Sequence, residues 1–165
     1  LDNFNFSSSE GNCSGQVLAI SEPYYGDNSR GRVSFYQKDP INWVRCSSVV
    51  STVDVEWGRY GNRLKNIGDV NADGFDELAV SNDHWNNSRL EILGGSAGGL
   101  VYHKTFSESE MVGSIEVMGD YNGDSKAEIG IGFPHYNDKG NYGAGKVAIY
   151  DISAEGEKVG VSTRA

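Results

Sequence analysis

The stretch "GDVNADGFDELAVS", residues 68–81, sets oxygen-bearing side chains at alternate positions and then turns abruptly apolar. Fifty-one residues further on, "GDYNGDSKAEIGIG" at 119–132 repeats the pattern. With Asp69 as loop position 1, Asn71 is 3, Asp73 is 5, Gly74 is 6, Phe75 is 7 and Glu77 is 9. In the second copy the corresponding residues are Asp120, Asn122, Asp124, Ser125, Lys126 and Glu128. Alternating oxygens around a tight reversal can converge on one point, and Ca2+ accepts about six to eight hard oxygen ligands. The expected ligands are the side chains at positions 1, 3, 5 and 9 and the backbone carbonyls of Phe75 and Lys126. An EF-hand opens with this spacing, but it needs a Glu at position 12 and flanking helices. Position 12 is Val80 in one loop and Ile131 in the other, and both loops run into β-forming residues. Each is therefore read as a loop joining two strands. Asp76, at position 8, is expected to point away from the ion, either to brace the loop or, as the leading reading, to face water.

Working outward, the apolar runs after these loops belong to a repeat. "QVLAISEP" (16–23), "DELAVSND" (76–83) and "AEIGIGFP" (127–134) form one series, each member followed by one of a second: "GRVSFYQ" (31–37), "SRLEILG" (88–94) and "GKVAIYD" (145–151). In the second series Val33, Leu90 and Val147 are spaced by 57 and again by 57. Three units, approximately 1–55, 56–108 and 109–165, fill the chain. The middle unit reads as strands near 62–67, 76–81, 88–93 and 100–106 with Gly- and Asn-rich turns between them. Four short antiparallel strands recurring at this period are the pattern of a β-propeller blade. The expected fold is all-β. Propellers close with about four to eight blades, so three imply part of a larger ring, completed by the same chain or by other copies. In the first unit "SSEGNCSGQ" (8–16) has lost the alternating carboxylates, and no ion is expected there. Ser125 replaces the position-6 glycine in the second loop, which predicts a strained turn and a weaker site.

Bulk composition agrees with a folded domain. The chain has 165 residues, 38% of them hydrophobic, enough for a core. A formal charge of −9 with only 14 scattered Lys and Arg argues against a nucleic-acid partner and for cations. No apolar run approaches the roughly 20 residues that span a bilayer, and "LDNFNFSSSEGN" lacks the zones of a signal peptide, so the chain reads as a mature or excised piece. Cys13 and Cys46 could be bonded, which would suit an oxidising compartment, or could be two free thiols. Asn5, Asn12 and Asn86 each begin an Asn-x-Ser sequon, a match too common in so Ser- and Asn-rich a chain to carry weight.

These units resemble FG-GAP repeats, the blades of integrin α-subunit propellers and related extracellular proteins. Tyr60-Gly61 stands at the family's Phe-Gly dipeptide, and 68–81 matches its calcium loop and following strand. The Gly-Ala-Pro element survives only as Ser21-Glu22-Pro23, Ser81-Asn82-Asp83 and Gly132-Phe133-Pro134. The resemblance implies extracellular calcium-stabilised blades, with structural ions on the face opposite the usual ligand-binding face.

No catalytic set is apparent: His84, His103 and His135 lie in separate contexts, none beside a nucleophile motif, and no enzyme activity is expected of this chain. The turns after the first series are aromatic. Tyr24, Tyr25, Trp85, His135, Tyr136 and Tyr142 could line one rim and recognise a protein or glycan, or could cap loops and fill gaps between blades. The leading expectation is a binding or adhesion module. The alternatives are a structural subunit or spacer of a surface assembly, and a non-catalytic part of a larger secreted enzyme such as a polysaccharide lyase.

Overall fold

The computed structural model describes residues 4–8, 10–51, 56–70, 72–84, 88–94, 100–105, 111–152 and 158–163. Thirteen strands form four antiparallel sheets among these residues. A two-stranded hairpin joins β1 (Phe4–Ser8) to β2 (Gly11–Gly15). A three-stranded sheet follows, β3 (Val17–Glu22), β4 (Arg32–Lys38) and β5 (Trp43–Val49). The middle sheet has β6 (Leu64–Gly68), β7 (Glu77–Asn82), β8 (Arg89–Gly94) and β9 (Leu100–Thr105). The last has β10 (Ser114–Gly119), β11 (Glu128–Phe133), β12 (Lys146–Tyr150) and β13 (Lys158–Thr163). In the three larger sheets spatial order is sequence order, the simple meander of a propeller blade.

The middle sheet is buried on both faces, and the period of two in its strands decides which side chain goes where. Leu78 and Val80 of β7 point into a core shared with the first unit, which also holds Phe4, Phe6, Cys13, Val17, Val33, Phe35, Tyr60 and Leu93. Ala79 between them points the other way. It joins Ile67, Val70, Leu90 and Ile92 in a second core whose remaining members come from the third unit, including Ile115, Ile129, Ile131 and Phe133. The sheet is therefore a slab between two neighbours. This explains why Leu78, Ala79 and Val80 are apolar in succession at the centre of β7.

The first unit departs from the other two. Where they carry an opening strand and an acidic loop, it carries the β1–β2 hairpin, which packs against β4, β5 and β8 instead of joining the sheet. The Phe4, Phe6 and Phe35 rings stack, with centroids 5.3 Å (Phe4 to Phe35) and 4.6 Å (Phe6 to Phe35) apart. Cys13 and Cys46 form a disulfide with Cα atoms 5.4 Å apart, tying β2 to β5. The stretch 8–16 is thus turned into a hairpin by apolar burial and a crosslink.

Neighbouring units are stitched by backbone. Gly31 of the first unit bridges to Tyr60 of the middle one in parallel fashion, and the Tyr60 amide donates to the Arg30 carbonyl at 2.9 Å; within the middle unit the Gly61 amide donates to the Ser81 carbonyl at 2.9 Å. One unit later the Gly113 amide donates to the Gly132 carbonyl at 2.8 Å. Ser81 and Gly132 are equivalent in the repeat, so Val112-Gly113 holds the place of Tyr60-Gly61. The sequence hides this equivalence because Val112 is not aromatic; the signal that could have found it is its spacing before β11.

Candidate functional site

The acidic loops connect β6 to β7 and β10 to β11, at the same end of both sheets. Each is organised by its first carboxylate. Asp69 accepts from the amides of Asp73 (3.0 Å) and Gly74 (2.9 Å), and Asp120 accepts from those of Gly123 (2.6 Å) and Ser125 (2.9 Å). The fifth residue supports the seventh: Asp73 accepts from the Phe75 amide at 3.0 Å and Asp124 from the Lys126 amide at 2.9 Å. Asn122 accepts from the Asp124 amide at 2.9 Å, while its counterpart Asn71 lies outside the described residues. The ninth residue closes the loop from the strand side. Glu77 Oε2 accepts from the Val70 amide at 3.0 Å, and Glu128 Oε2 accepts from the amides of Tyr121 (2.6 Å) and Asn122 (3.1 Å). Both glutamates are fully buried, whereas Asp69, Asp73, Asp120 and Asp124 are exposed.

Two backbone positions in each loop are left-handed, the fourth and the sixth. They are Ala72 (φ 62°) and Gly74 (φ 90°) in one loop, and Gly123 (φ 83°) and Ser125 (φ 70°) in the other. Each loop therefore puts one glycine and one non-glycine into that region, and the strain expected at Ser125 has its match at Ala72. Backbone strain does not rank the two loops. Of the two roles open to Asp76, the structure shows the bracing one: it accepts from Asn66 Nδ2 at 3.1 Å, which ties the loop to β6.

The donor set is one that a hard cation fits. Glu128 Oε1 is buried and has no hydrogen-bond partner, and carboxylate oxygens of Asp124, Glu128 and Asp151 lie within 4.8 Å of one another. Asp120 is not part of that cluster, and Asp69, Asp73 and Glu77 form no such cluster among the described residues. Asp151, just past β12, escaped the sequence reading because nothing in the loop's own spacing points to it.

At the opposite end of the sheets lie the aromatic turns. Tyr24, Tyr25, His135 and Tyr142 are exposed; Trp85 lies outside the described residues. Tyr25 stacks beneath the Arg32 guanidinium, 3.6 Å from its centroid. Tyr136 is half-buried against the second core with Lys146 Nζ 4.4 Å from its ring, and so belongs to the packing more than to the surface. Beside it a cavity of about 600 Å³ is lined by residues that include Arg63, Phe133, Pro134, Lys146 and Val147. Arg63 reaches from the middle unit, its Nε donating to the Gly113 carbonyl at 2.7 Å.

Small antiparallel meander sheets, stitched by a glycine dipeptide and stacked face to face, define a propeller-repeat protein. Residues 112–150 match the family model of the FG-GAP repeat, so the third unit is an FG-GAP repeat, beginning at the Val112-Gly113 dipeptide. The middle unit repeats its strand order, its loop and its stitch.

Proposed function

We propose that the chain is a calcium-stabilised propeller segment of an extracellular, non-catalytic binding or adhesion module, recognising a protein or glycan through the rim that carries Tyr24, Tyr25, His135 and Tyr142. The observation that carries this reading is the separation of two chemistries at opposite ends of the same strands. Acidic loops sit at one end of β7 and β11, the second of them with the buried, unpartnered Oε1 of Glu128. Exposed aromatic turns and the cavity beside Lys146 sit at the other. Calcium would act by mass action, since it binds the folded loops and not the unfolded chain. A disulfide favours an oxidising compartment. No helix among the described residues is long and apolar enough to cross a membrane.

A second reading, a subunit whose sheets meet further blades or other copies, draws on the exposed Leu18 and Ile20 on the outer face of β3. One experiment separates them. The parent chain and a Tyr24→Ala, Tyr142→Ala variant are compared on glycan and extracellular-protein arrays, with calcium and with chelator. Binding that the variant loses, at an unchanged melting temperature, supports rim recognition. Unchanged binding by the variant removes it, and no effect of chelator on the parent's melting temperature removes the calcium role.

A further inference from the structure

The register of the third sheet brings Asp151 to the cation loop. Ile129 pairs with Tyr150, and one step further along the antiparallel pair Glu128 faces Asp151. Directly opposed side chains have Cβ atoms about 4.5 to 5.5 Å apart, and like charges there are destabilising. Both residues are buried, Glu128 at 0% and Asp151 at 8% exposure, and with Asp124 they bring three carboxylate oxygens within 4.8 Å. Glu128 Oε2 is committed to two loop amides, which leaves Oε1 buried and without a hydrogen-bond partner. Carboxylates gathered in this way are relieved either by taking up a proton or by binding a cation, and a cation is what a ring of hard oxygens suits.

The middle unit supplies an internal comparison. Glu77 pairs with Gly94, the repeat equivalent of Asp151, and a Cβ built on Gly94 would lie 3.4 Å from Glu77 Oε1. The same spatial position therefore abuts the ninth-position carboxylate in both units. One unit leaves it without a side chain and the other fills it with a carboxylate.

We propose that Asp151 is a cation ligand of the 120–128 loop, donated from outside the loop by the end of β12, and that this makes the second site the tighter of the two for a hard divalent cation such as Ca2+. The inference rests on the calcium reading above. Affinity of oxygen cages rises with the number of charged ligands. With Asp151 the second site has four carboxylate ligands, Asp120, Asp124, Glu128 and Asp151, against Asp69, Asp73 and Glu77 in the first, and each loop carries one left-handed non-glycine residue.

The test uses the full 165-residue chain stripped of metal, titrated with Ca2+ by calorimetry and with Tb3+ by luminescence. The parent should show two classes of site, and Asp69→Asn should abolish the weaker one. Asp151→Asn in the Asp69→Asn background should weaken the remaining site by about tenfold or more. Melting in chelator gives a readout that a merely structural Asp151 would not produce. Asp151→Asn should melt higher than the parent without calcium, because like charges are relieved, and should gain less from added calcium. Asp151→Ser, which shortens the side chain, should behave in the same way. Unchanged affinity of the second site in both variants, or a fall in melting temperature equal with and without calcium, overturns the assignment while leaving the loops as calcium sites. Absence of any binding by the parent overturns both.

Discussion

Glu22 ends β3, Asp83 directly follows β7, and the two titrate in opposite senses for reasons the neighbouring atoms supply. Glu22 lies opposite Arg32 in the register, accepting from its Nε at 3.1 Å and Nη2 at 2.7 Å, and Ser34 Oγ donates to the same carboxylate. The Arg32 hydrogen bonds first, then that from Ser34, hold Glu22 below its usual value of 4.5. Asp83 is raised above 3.8, chiefly by burial, with the Arg63 charge and the bonds from Asn62 and Ser81 offsetting only part of it. The signs follow from linkage. Glu22 contributes stability that is present above pH 4.5 and is lost as pH falls through its lowered value. Asp83 contributes stability present below pH 3.8 that is lost as pH rises through its raised value. Glu22→Gln should therefore lower the melting temperature at pH 7 and flatten its fall between pH 5 and 3, whereas Asp83→Asn should not flatten it. A melting series across that range checks both, and equal acid limbs for parent and Glu22→Gln would remove the Glu22 term.

At the scale of elements, the joints between units depend on close backbone approach. Gly31 has φ +84°, and a Cβ there would sit 2.3 Å from the Tyr60 nitrogen and 2.4 Å from its carbonyl oxygen. Backbone cannot yield as a flexible side chain can. Gly31→Ala should destabilise the chain by about 2 kcal/mol or more through strain and loss of the Gly31–Tyr60 bridge. Gly26, also left-handed at φ +78° but with open space around its Cβ, is the control for strain alone. Denaturant unfolding of Gly31→Ala and Gly26→Ala measures the difference, and equal losses would mean that the joint tolerates the methyl. The strands themselves were legible in the sequence. Runs expected at 76–81 and 88–93 are β7 at Glu77–Asn82 and β8 at Arg89–Gly94, since short apolar runs, bounding glycines and a repeat all point to the same boundaries. The β1–β2 hairpin was not, because "GNCSG" has no strand signature of its own and is held by the aromatic cluster and crosslink it packs against.

For the whole molecule, the disulfide spans 33 residues and joins the hairpin to the sheet beside which it packs. By the loop-entropy account, closing such a loop restricts the unfolded chain and is worth about 3 to 4 kcal/mol. Paired Cys13→Ser and Cys46→Ser substitution should lower denaturant stability by about that much. Loss confined to local protease sensitivity near residues 4–15, with no change in the midpoint, would mean that the hairpin is an appendage and not part of the cooperative unit. By itself the sequence determined the all-β class, the repeat and the two acidic loops, because those are short-range patterns: a period of two, a turn residue at a set offset, and oxygens at alternate positions. Only the tertiary structure decided that Val112-Gly113 replaces an aromatic dipeptide, that Tyr136 is half-buried against the second core, and that Asp151 faces Glu128. Each of those follows from strand register or burial between sheets, in which residues far apart in the chain become neighbours and local spacing carries no trace of the contact.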